Sequence, residues 1–393
     1  MHYIGVDIAK YKHVLAAIGD RGERVIENYV FTNTTEGFTE MLKKLSECDI
    51  AHEDSKICIE STGHYGKSLC AHLEAHGFEV NEVNPILTHN WRKAMSVRKV
   101  KNDAVDALAL AQWLLAGNPI SLKSSSEKTE DIKVLARSRT FHSRIIGDSK
   151  RKVIALLDQV FPEYARFFTD AFGKTSLAVL RRWQSPEEIA HARIDILTRC
   201  LSKASRNKFG RDKAISLKAL AKNSFGTGQA TEASTFQMRQ LIAQIDFTQK
   251  QMEEIDGELK RLLDKAKTPI TTIPGIGVVA GATILGEIGD IENFDHPSKL
   301  VAFAGYDPSV FESGEFTGTK CHISKRGSSQ LRWMLWIAAD RARLHDPVLK
   351  EYYLKKRSEG KCHKVAVCAL IRKMCNIIFA VLRDDKPHTV PQR

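Results

Sequence analysis

The sequence predicts an α/β domain at the N-terminus followed by a long, mainly helical remainder. Three apolar runs of β type follow one another within the first 31 residues, and strand and helix signals then alternate to about residue 116. From about residue 128 onward the apolar positions recur at helical spacing instead. Charge divides the chain in the same way. Residues 1–120 carry 13 Lys and Arg against 16 Asp and Glu, whereas residues 320–383 carry 15 against 4. Nearly the whole formal net charge of +12 therefore lies in one C-terminal stretch. At 393 residues the chain exceeds one typical core. The expected division is an α/β domain over 1–127, a helical middle over 128–265 and a C-terminal domain over 266–393.

Taken in order, residues 3–9 and 12–18 read as strands, and Asp20-Arg21-Gly22-Glu23 turns the chain into a third from Arg24 to Phe31. Thr34 or Thr35 can cap a helix carrying Phe38, Met41, Leu42 and Leu45. Strand 56–60 follows, then a helix around Leu69, Leu73 and His76 stopped by Gly77, then a strand from Glu79 to Val83. Pro85 breaks the pattern, and 103–116 is a helix with Leu108, Leu110, Trp113 and Leu114. Three strands, then helix-strand-helix-strand-helix, is the element order of a ribonuclease-H-like domain.

The middle is helical. Ile145, Val153, Leu156 and Val160 form an apolar face beside Arg137, Arg139, Arg144, Lys150, Arg151 and Lys152. From Met238 a cleaner heptad runs through Leu241, Ile245, Thr248, Met252, Ile255, Leu259 and Leu262; such a seam most often packs within one chain, and its length also suits a coiled-coil hairpin or a dimer contact. Segment 205–235, rich in Ser, Asn, Gly and Lys, holds the expected break between helical blocks. The last segment opens like a helix-hairpin-helix. Thr271-Thr272-Ile273-Pro274-Gly275-Ile276-Gly277 feeds a helical run from Val278 to Ile288. Gly275 and Gly277 would expose backbone N–H groups suited to a DNA phosphate, though a plain helix–helix turn has the same spacing. The helix of about 362–382 is apolar on most sides and is expected to be buried.

Four carboxylates carry the chemistry. Asp7 lies inside the apolar run Tyr3 to Ala9, and Glu60 ends the run Lys56 to Glu60. Asp103 and Asp106, three residues apart, share one helix face. A carboxylate in an apolar strand is costly to bury unless something positive neutralises it. Acids from separate elements that meet at one point suit a divalent cation. Two such ions about 4 Å apart can activate a nucleophile and stabilise the leaving oxygen in phosphodiester cleavage. The bland readings are a dipole-favoured acidic pair at a helix N-terminus and a strand-end Glu capping a turn. Placement of all four on three elements of one fold order favours the metal site. An acidic domain joined to a strongly basic one points to a phosphate polymer as substrate.

Other classes are disfavoured. The uninterrupted apolar runs are far short of a membrane span, and Met1-His2-Tyr3-Ile4-Gly5 reads as a strand, so a cytoplasmic protein with no membrane partner is expected. Eight cysteines show no C-x-x-C pair and no zinc spacing, which suits reduced thiols. Ile4 to Lys10 also resembles the first phosphate strand of actin-like sugar kinases, but Lys10-Tyr11-Lys12-His13 stands where those have a Gly-rich turn.

Seven motifs in order carry a more specific resemblance: Gly5-Val6-Asp7, Ile59-Glu60-Ser61-Thr62-Gly63, Asn84-Pro85, Lys101 to Ala107, Ile273 to Gly277, Phe303-Ala304-Gly305 and Ser324-Lys325-Arg326-Gly327. Together they resemble the DEDD-type insertion-sequence transposases, the family of pilin-gene invertases and bridge-RNA-guided recombinases. The resemblance spans both ends well and the middle loosely. It implies a RuvC-like N-terminal domain in which Asp7, Glu60, Asp103 and Asp106 bind Mg²⁺, two ions per site, with Mn²⁺ as a substitute. It further implies a serine nucleophile from a Glu-Ser-Gly loop, here Ser313 in Phe311-Glu312-Ser313-Gly314, that forms a covalent phosphoserine link to DNA. The residues alone would not single out Ser313, since a serine in a Gly-rich loop is usually a turn residue. No histidine base lies adjacent in sequence, so activation would fall to the metal. Ser324, Ser328 and Ser329 are rivals that open a helix and read as caps or phosphate contacts. Lys325, Arg326 and Arg332 are candidates for phosphate contacts. The implied partners are the element ends and target DNA, a homo-oligomer (dimer or tetramer), and a guide noncoding RNA whose use the long middle region leaves open. The competing functions are a junction-resolving endonuclease using water and a non-enzymatic nucleic-acid-binding protein.

Overall fold

The computed structural model describes residues 1–60, 65–83, 85–95, 102–117, 127–228, 231–308, 312–313, 316–317 and 322–389. It divides into two compact units, Met1–Ser125 and Ser126–Arg393.

The first unit is built on a five-stranded sheet of order β3-β2-β1-β4-β5, from β1 (His2–Ile8), β2 (Lys12–Gly19), β3 (Arg24–Thr32), β4 (Ser55–Glu60) and β5 (Glu79–Val83). The β1–β2 and β2–β3 pairs are antiparallel, and β1–β4 and β4–β5 are parallel. Helices α1 (Thr35–Glu47), α2 (Lys67–Ala75), α3 (Pro85–Met95) and α4 (Asp103–Leu115) complete it. The side-chain period of two sends alternate strand residues to opposite faces. Ile4, Val6, Leu15 and Ala17 pack with Phe38, Met41 and Leu45 of α1 and Leu69 and Leu73 of α2. Val14, Ala16 and Cys58 face the other way, toward Ala107, Leu110 and Trp113 of α4.

Sequence spacing anticipated every strand here but missed α3. Proline lacks an N–H and has φ fixed near the helical value, so it is well suited to the first position of a helix. Pro85 therefore opens α3 and does not interrupt a strand-like pattern.

The second unit starts with α5 (Glu127–Val160) and continues through α6 (Tyr164–Phe167), α7 (Lys174–Leu180), α8 (Pro186–His191), α9 (Ile194–Ser205) and α10 (Arg211–Lys222) to α11 (Thr231–Ala266). Then come α12 (Val278–Ile288), α13 (Pro297–Phe303), β6 (Glu312–Ser313), β7 (Phe316–Thr317), α14 (Ser329–His345), α15 (Pro347–Ser358) and α16 (His363–Asp384). The two long helices α5 and α11 run antiparallel: Ile132 and Ala136 cluster with Leu259 and Leu263, while Val153 and Leu157 cluster with Met238 and Ile245. The heptad positions Met238, Ile245, Met252 and Leu259, with Thr248, are thus buried within this chain.

Two separate cores flank the pair. One joins its distal part to α6, α7, α9 and α10 through Tyr164, Val179, Leu197 and Leu217. The other joins its proximal part to α12, α13, α14 and α16. Among the described residues, α16 is the one helix long and apolar enough to cross a membrane. Val367, Leu370, Ile371, Met374 and Ile378 bury it in this second core.

Candidate active site

Asp7 is held by the local logic of β1. Tyr3, Gly5 and Asp7 share the face turned to α4. Gly5 lies so close to that helix that an added Cβ would stand 1.9 Å from the Ala107 carbonyl oxygen. No residue but glycine lets helix and strand approach this far. The approach is what carries Asp103 and Asp106 toward Asp7. On the neighbouring parallel strand, Gly5 pairs with Cys58 and Val6 with Ile59. Continuing that register by one residue puts Glu60 beside Asp7 on the same face.

Helix α4 begins at the cluster. Asn102 caps it by accepting a hydrogen bond from the Val105 N–H at 2.8 Å. Asp103 and Asp106 fall in its first turn, where the positive end of the helix dipole favours negative charge. Asp106 is buried, with 9% of its surface exposed.

The other three acids lie within electrostatic reach of Asp7. Burial, then the charges of Asp106, Asp103 and Glu60, push the Asp7 carboxyl up to about 6, while Arg92 pulls it down. Arg92 of α3 donates to Asp106 Oδ1 at 2.5 Å, with both side chains mostly buried. Thr88, on the same helix and itself buried, donates to Glu60 Oε1 at 3.1 Å. Helix α3 thus supplies two polar partners to the carboxylates. Neither was anticipated, because the helix itself was not; an Arg four residues after a Thr downstream of Pro85 was the available signal.

The donors are all hard carboxylate oxygens, which fit a divalent cation of the Mg²⁺ or Mn²⁺ kind. They are gathered, but not into a closed cage: among the described residues no group of three or more His, Cys, Asp or Glu stands ready to hold an ion. The Arg92 guanidinium engages one oxygen of Asp106, Oδ1, so at that atom it competes with a cation.

The remaining candidates lie in the second unit. Ser313 is on β6, which pairs antiparallel with β7 so that Ser313 stands opposite Phe316. Phe311 and Gly314 of its motif, like Ser61, Thr62, Gly63, Asn84 and Lys101 of the others, lie outside the described residues. Gly275 has φ +86°, and a Cβ there would meet the Ala338 carbonyl at 2.4 Å, so packing against α14 already accounts for this glycine. Gly277 differs: it precedes α12 with no side-chain cap, and a Cβ would meet nothing within 4 Å.

Lys325 (φ +55°) and Arg326 are exposed on a loop anchored by the Lys325 N–H to the Gly305 carbonyl. Arg332 donates to the carbonyls of Arg326 and Gly327 at 2.6 and 3.0 Å, so it braces that loop. Ser328 caps α14 through the N–H groups of Gln330 and Leu331. Ser324 bonds Asp307.

Comparison with known proteins agrees with this architecture. Residues 4–162 match a DEDD-type IS110 model described as transposase, and residues 267–354 match the model for transposases of the IS116/IS110/IS902 family. The chain is 27% identical to the insertion element IS116 uncharacterized 44.8 kDa protein of Streptomyces clavuligerus, over 98% of this chain and 96% of that one. It is 23% identical to the pilin gene-inverting protein of Moraxella bovis, over 98% and 97%. Over a shorter stretch, 34% of this chain and 41% of the relative, it is 31% identical to the transposase for insertion sequence element IS1328 of Yersinia enterocolitica. With acids on β1, β4 and α4 inside the first matched segment, and with both segments present in order, the chain belongs to the IS116/IS110/IS902 family of transposases.

Proposed function

We propose that this protein is a DNA recombinase that moves its own element by metal-dependent strand cleavage and exchange, using Asp7, Glu60, Asp103 and Asp106 as metal ligands and Ser313 as nucleophile. The observation that carries this is the convergence on Asp7 of three carboxylates from β4 and α4, which burial alone would not require. The sheet order β3-β2-β1-β4-β5 supports a RuvC-like, ribonuclease-H-like reading of the first unit. The second unit is then read as a coiled-coil hairpin with a helical insertion, over 128–265, followed by a serine-carrying DNA-binding domain over 266–393.

Bound Mg²⁺, two ions per site, would polarise the scissile phosphate and favour the ionised nucleophile and leaving oxygen. The acids hold that charge in place. Before loading, Arg92 neutralises Asp106 and Thr88 orients Glu60. The Ser313 Oγ attacks phosphorus; its bond to phosphorus forms as one DNA P–O bond breaks, and the hydroxyl proton ends on solvent or on the released DNA oxygen. The covalent phosphoserine link retains the phosphodiester bond energy for rejoining to a second DNA. Lys325, Arg326 and the Gly277 turn contact phosphate in this reading. The working form in this reading is a homo-oligomer in the cytoplasm, and the reading requires no guide RNA.

The test is strand exchange and adduct trapping on a nicked element end with Mg²⁺. Asp7→Ala should abolish cleavage, and Ser313→Ala should abolish both exchange and the covalent protein–DNA adduct. Full activity in either variant overturns the reading. Cleavage without any adduct would mark instead a junction-resolving nuclease that uses water.

A further inference from the structure

A cleft of about 440 Å³ lies between α5, the middle of α12 and the first two turns of α14, away from the acids and from Ser313 in sequence. It is lined by Arg144, Arg151, Thr283, Ser329, Gln330 and Trp333, among others. Among the described residues that line it there is no carboxylate. Its frame is fixed: Arg137 of α5 grips the buried Glu287 of α12 through two hydrogen bonds, at 2.7 and 3.0 Å.

The sequence marks six cations on this part of α5, and their partners sort them. Arg137 is tied to Glu287, and Arg139 grips Asp256 of α11. Lys150 lies over the Phe172 ring. Among the described residues Arg151 pairs with Asp148 alone, one turn away, both highly exposed, an arrangement weak enough to yield to a stronger anion. Arg144 and Lys152 are exposed and have no partner among the described residues, and of these two Arg144 alone lines the cleft. Arg144 and Arg151 are seven residues apart, on one face of the helix, and both open into the cleft.

The opposite wall supplies different chemistry. Of the five tryptophans only Trp333 is exposed, with 58% of its surface free. An indole of this size is normally mostly buried, and left bare it offers a stacking face. Beside it, the buried side-chain oxygen of Gln330 has no hydrogen-bond partner among the described residues. Its amide can be turned either way, so it can meet a donor or an acceptor.

We propose that this cleft binds an unpaired nucleic-acid strand, with phosphates on Arg144 and Arg151, one base stacked on Trp333 and a base edge read by Gln330. Cation and aromatic side by side are what a strand of alternating phosphate and ring requires. A paired base is already stacked on its neighbours and hidden from the indole, so a duplex does not satisfy the Trp333 wall. The proposal rests on the DNA-processing reading above and extends it to a second surface.

The test uses the full-length protein and fluorescence anisotropy. The probes are oligo(dT) and oligo(rU) of about 20 nucleotides, longer than one such site, and a duplex of equal length. Arg144→Glu should weaken binding of at least one unpaired probe about tenfold, and Arg144→Gln should lower the slope of log K against log salt by about 0.7. Trp333→Ala should weaken the same probe about tenfold while leaving the duplex within about twofold, and Trp333→Tyr should restore most of the loss. The probe affected identifies the strand as DNA or RNA. Binding of both unpaired probes within about twofold of wild type in Arg144→Glu and Trp333→Ala overturns the proposal. So does their equal displacement by poly-glutamate, which would make the cleft a general anion surface. If those variants bind normally while Asp7→Ala still abolishes cleavage, the recombinase reading stands and the cleft falls. If the wild type binds no probe at all, both fall.

Discussion

Asp7 stands on a buried strand among three other carboxylates, so loss of hydration and like charge both disfavour its ionised form, and its pKa rises from 3.8 to about 6. Between those values the folded chain holds a proton that the unfolded chain has lost. The stability this contributes is complete below 3.8 and disappears as pH rises through about 6. At neutral pH the metal-free protein therefore carries a repulsion that a neutral isostere would relieve. Asp7→Asn should raise the melting temperature without divalent metal by about 2–4 °C and flatten its pH dependence between 3.8 and 6. It should also abolish strand cleavage. Differential scanning calorimetry across that pH range checks it; a variant less stable than wild type at neutral pH would mean that Arg92 already neutralises the cluster.

The geometry of the cluster is set by how β1 meets α4. Gly5 has no room for a side chain against the Ala107 carbonyl. Gly5→Ala must push the helix outward, at a cost of about 1–3 kcal/mol, and would carry Asp103 and Asp106 away from Asp7. The expected result is a lower denaturant midpoint together with weaker Mn²⁺ binding by calorimetry; unchanged metal affinity would show that α4 does not set the site. Helix α5 is fixed to α12 by a different device. Burial would raise the Glu287 carboxyl, but hydrogen bonds from Arg137 and Ser328 outweigh it and hold the group below its ordinary range. That contribution is present above pH 4.5 and is lost as pH falls through the lowered value. Arg137→Ala leaves a buried carboxylate without its cation and should cost about 3 kcal/mol, the lower end for such pairs because Arg137 is half-exposed. Urea denaturation at neutral pH measures this, and the difference from wild type should shrink in acid.

Across the whole molecule the charge is segregated, acidic over residues 1–120 and strongly basic over 320–383. Affinity for DNA and the site of chemistry are therefore expected to separate. Asp7→Asn combined with Glu60→Gln removes two negative charges and should bind duplex DNA at least as tightly as wild type in the absence of metal, while losing cleavage. Anisotropy at two salt concentrations tests this, and a tenfold loss of affinity would place DNA recognition on the acids themselves. Much of this organisation could be read from spacing and charge. The five strands and the helix of Asp103 and Asp106 emerge from period-two and helical patterns, and their order places the acids before any coordinates do. Helix α3 could not be read, because Pro85 signals a break and a helix start alike, and Thr88 and Arg92 remained hidden with it. The fate of each cation on α5 was equally closed to sequence, since Arg137, Arg139 and Arg144 look alike until partners 117 to 150 residues away are known.

By itself, the sequence marked the candidates for chemistry, four acids at defined points of an element order and a basic C-terminal stretch, with Ser313 entering only through the family resemblance. These follow from local periodicity and residue type, which short-range physics fixes. Only the tertiary structure decided which charges are neutralised and which remain free. It gave Asp106 to Arg92, Glu60 to Thr88 and Glu287 to Arg137, and it left Arg144 and Trp333 open along one cleft. The reason is that desolvation and pairing depend on neighbours in space, and the approach of α4 to Gly5 or of α5 to α12 is a property of packing that no run of residues contains.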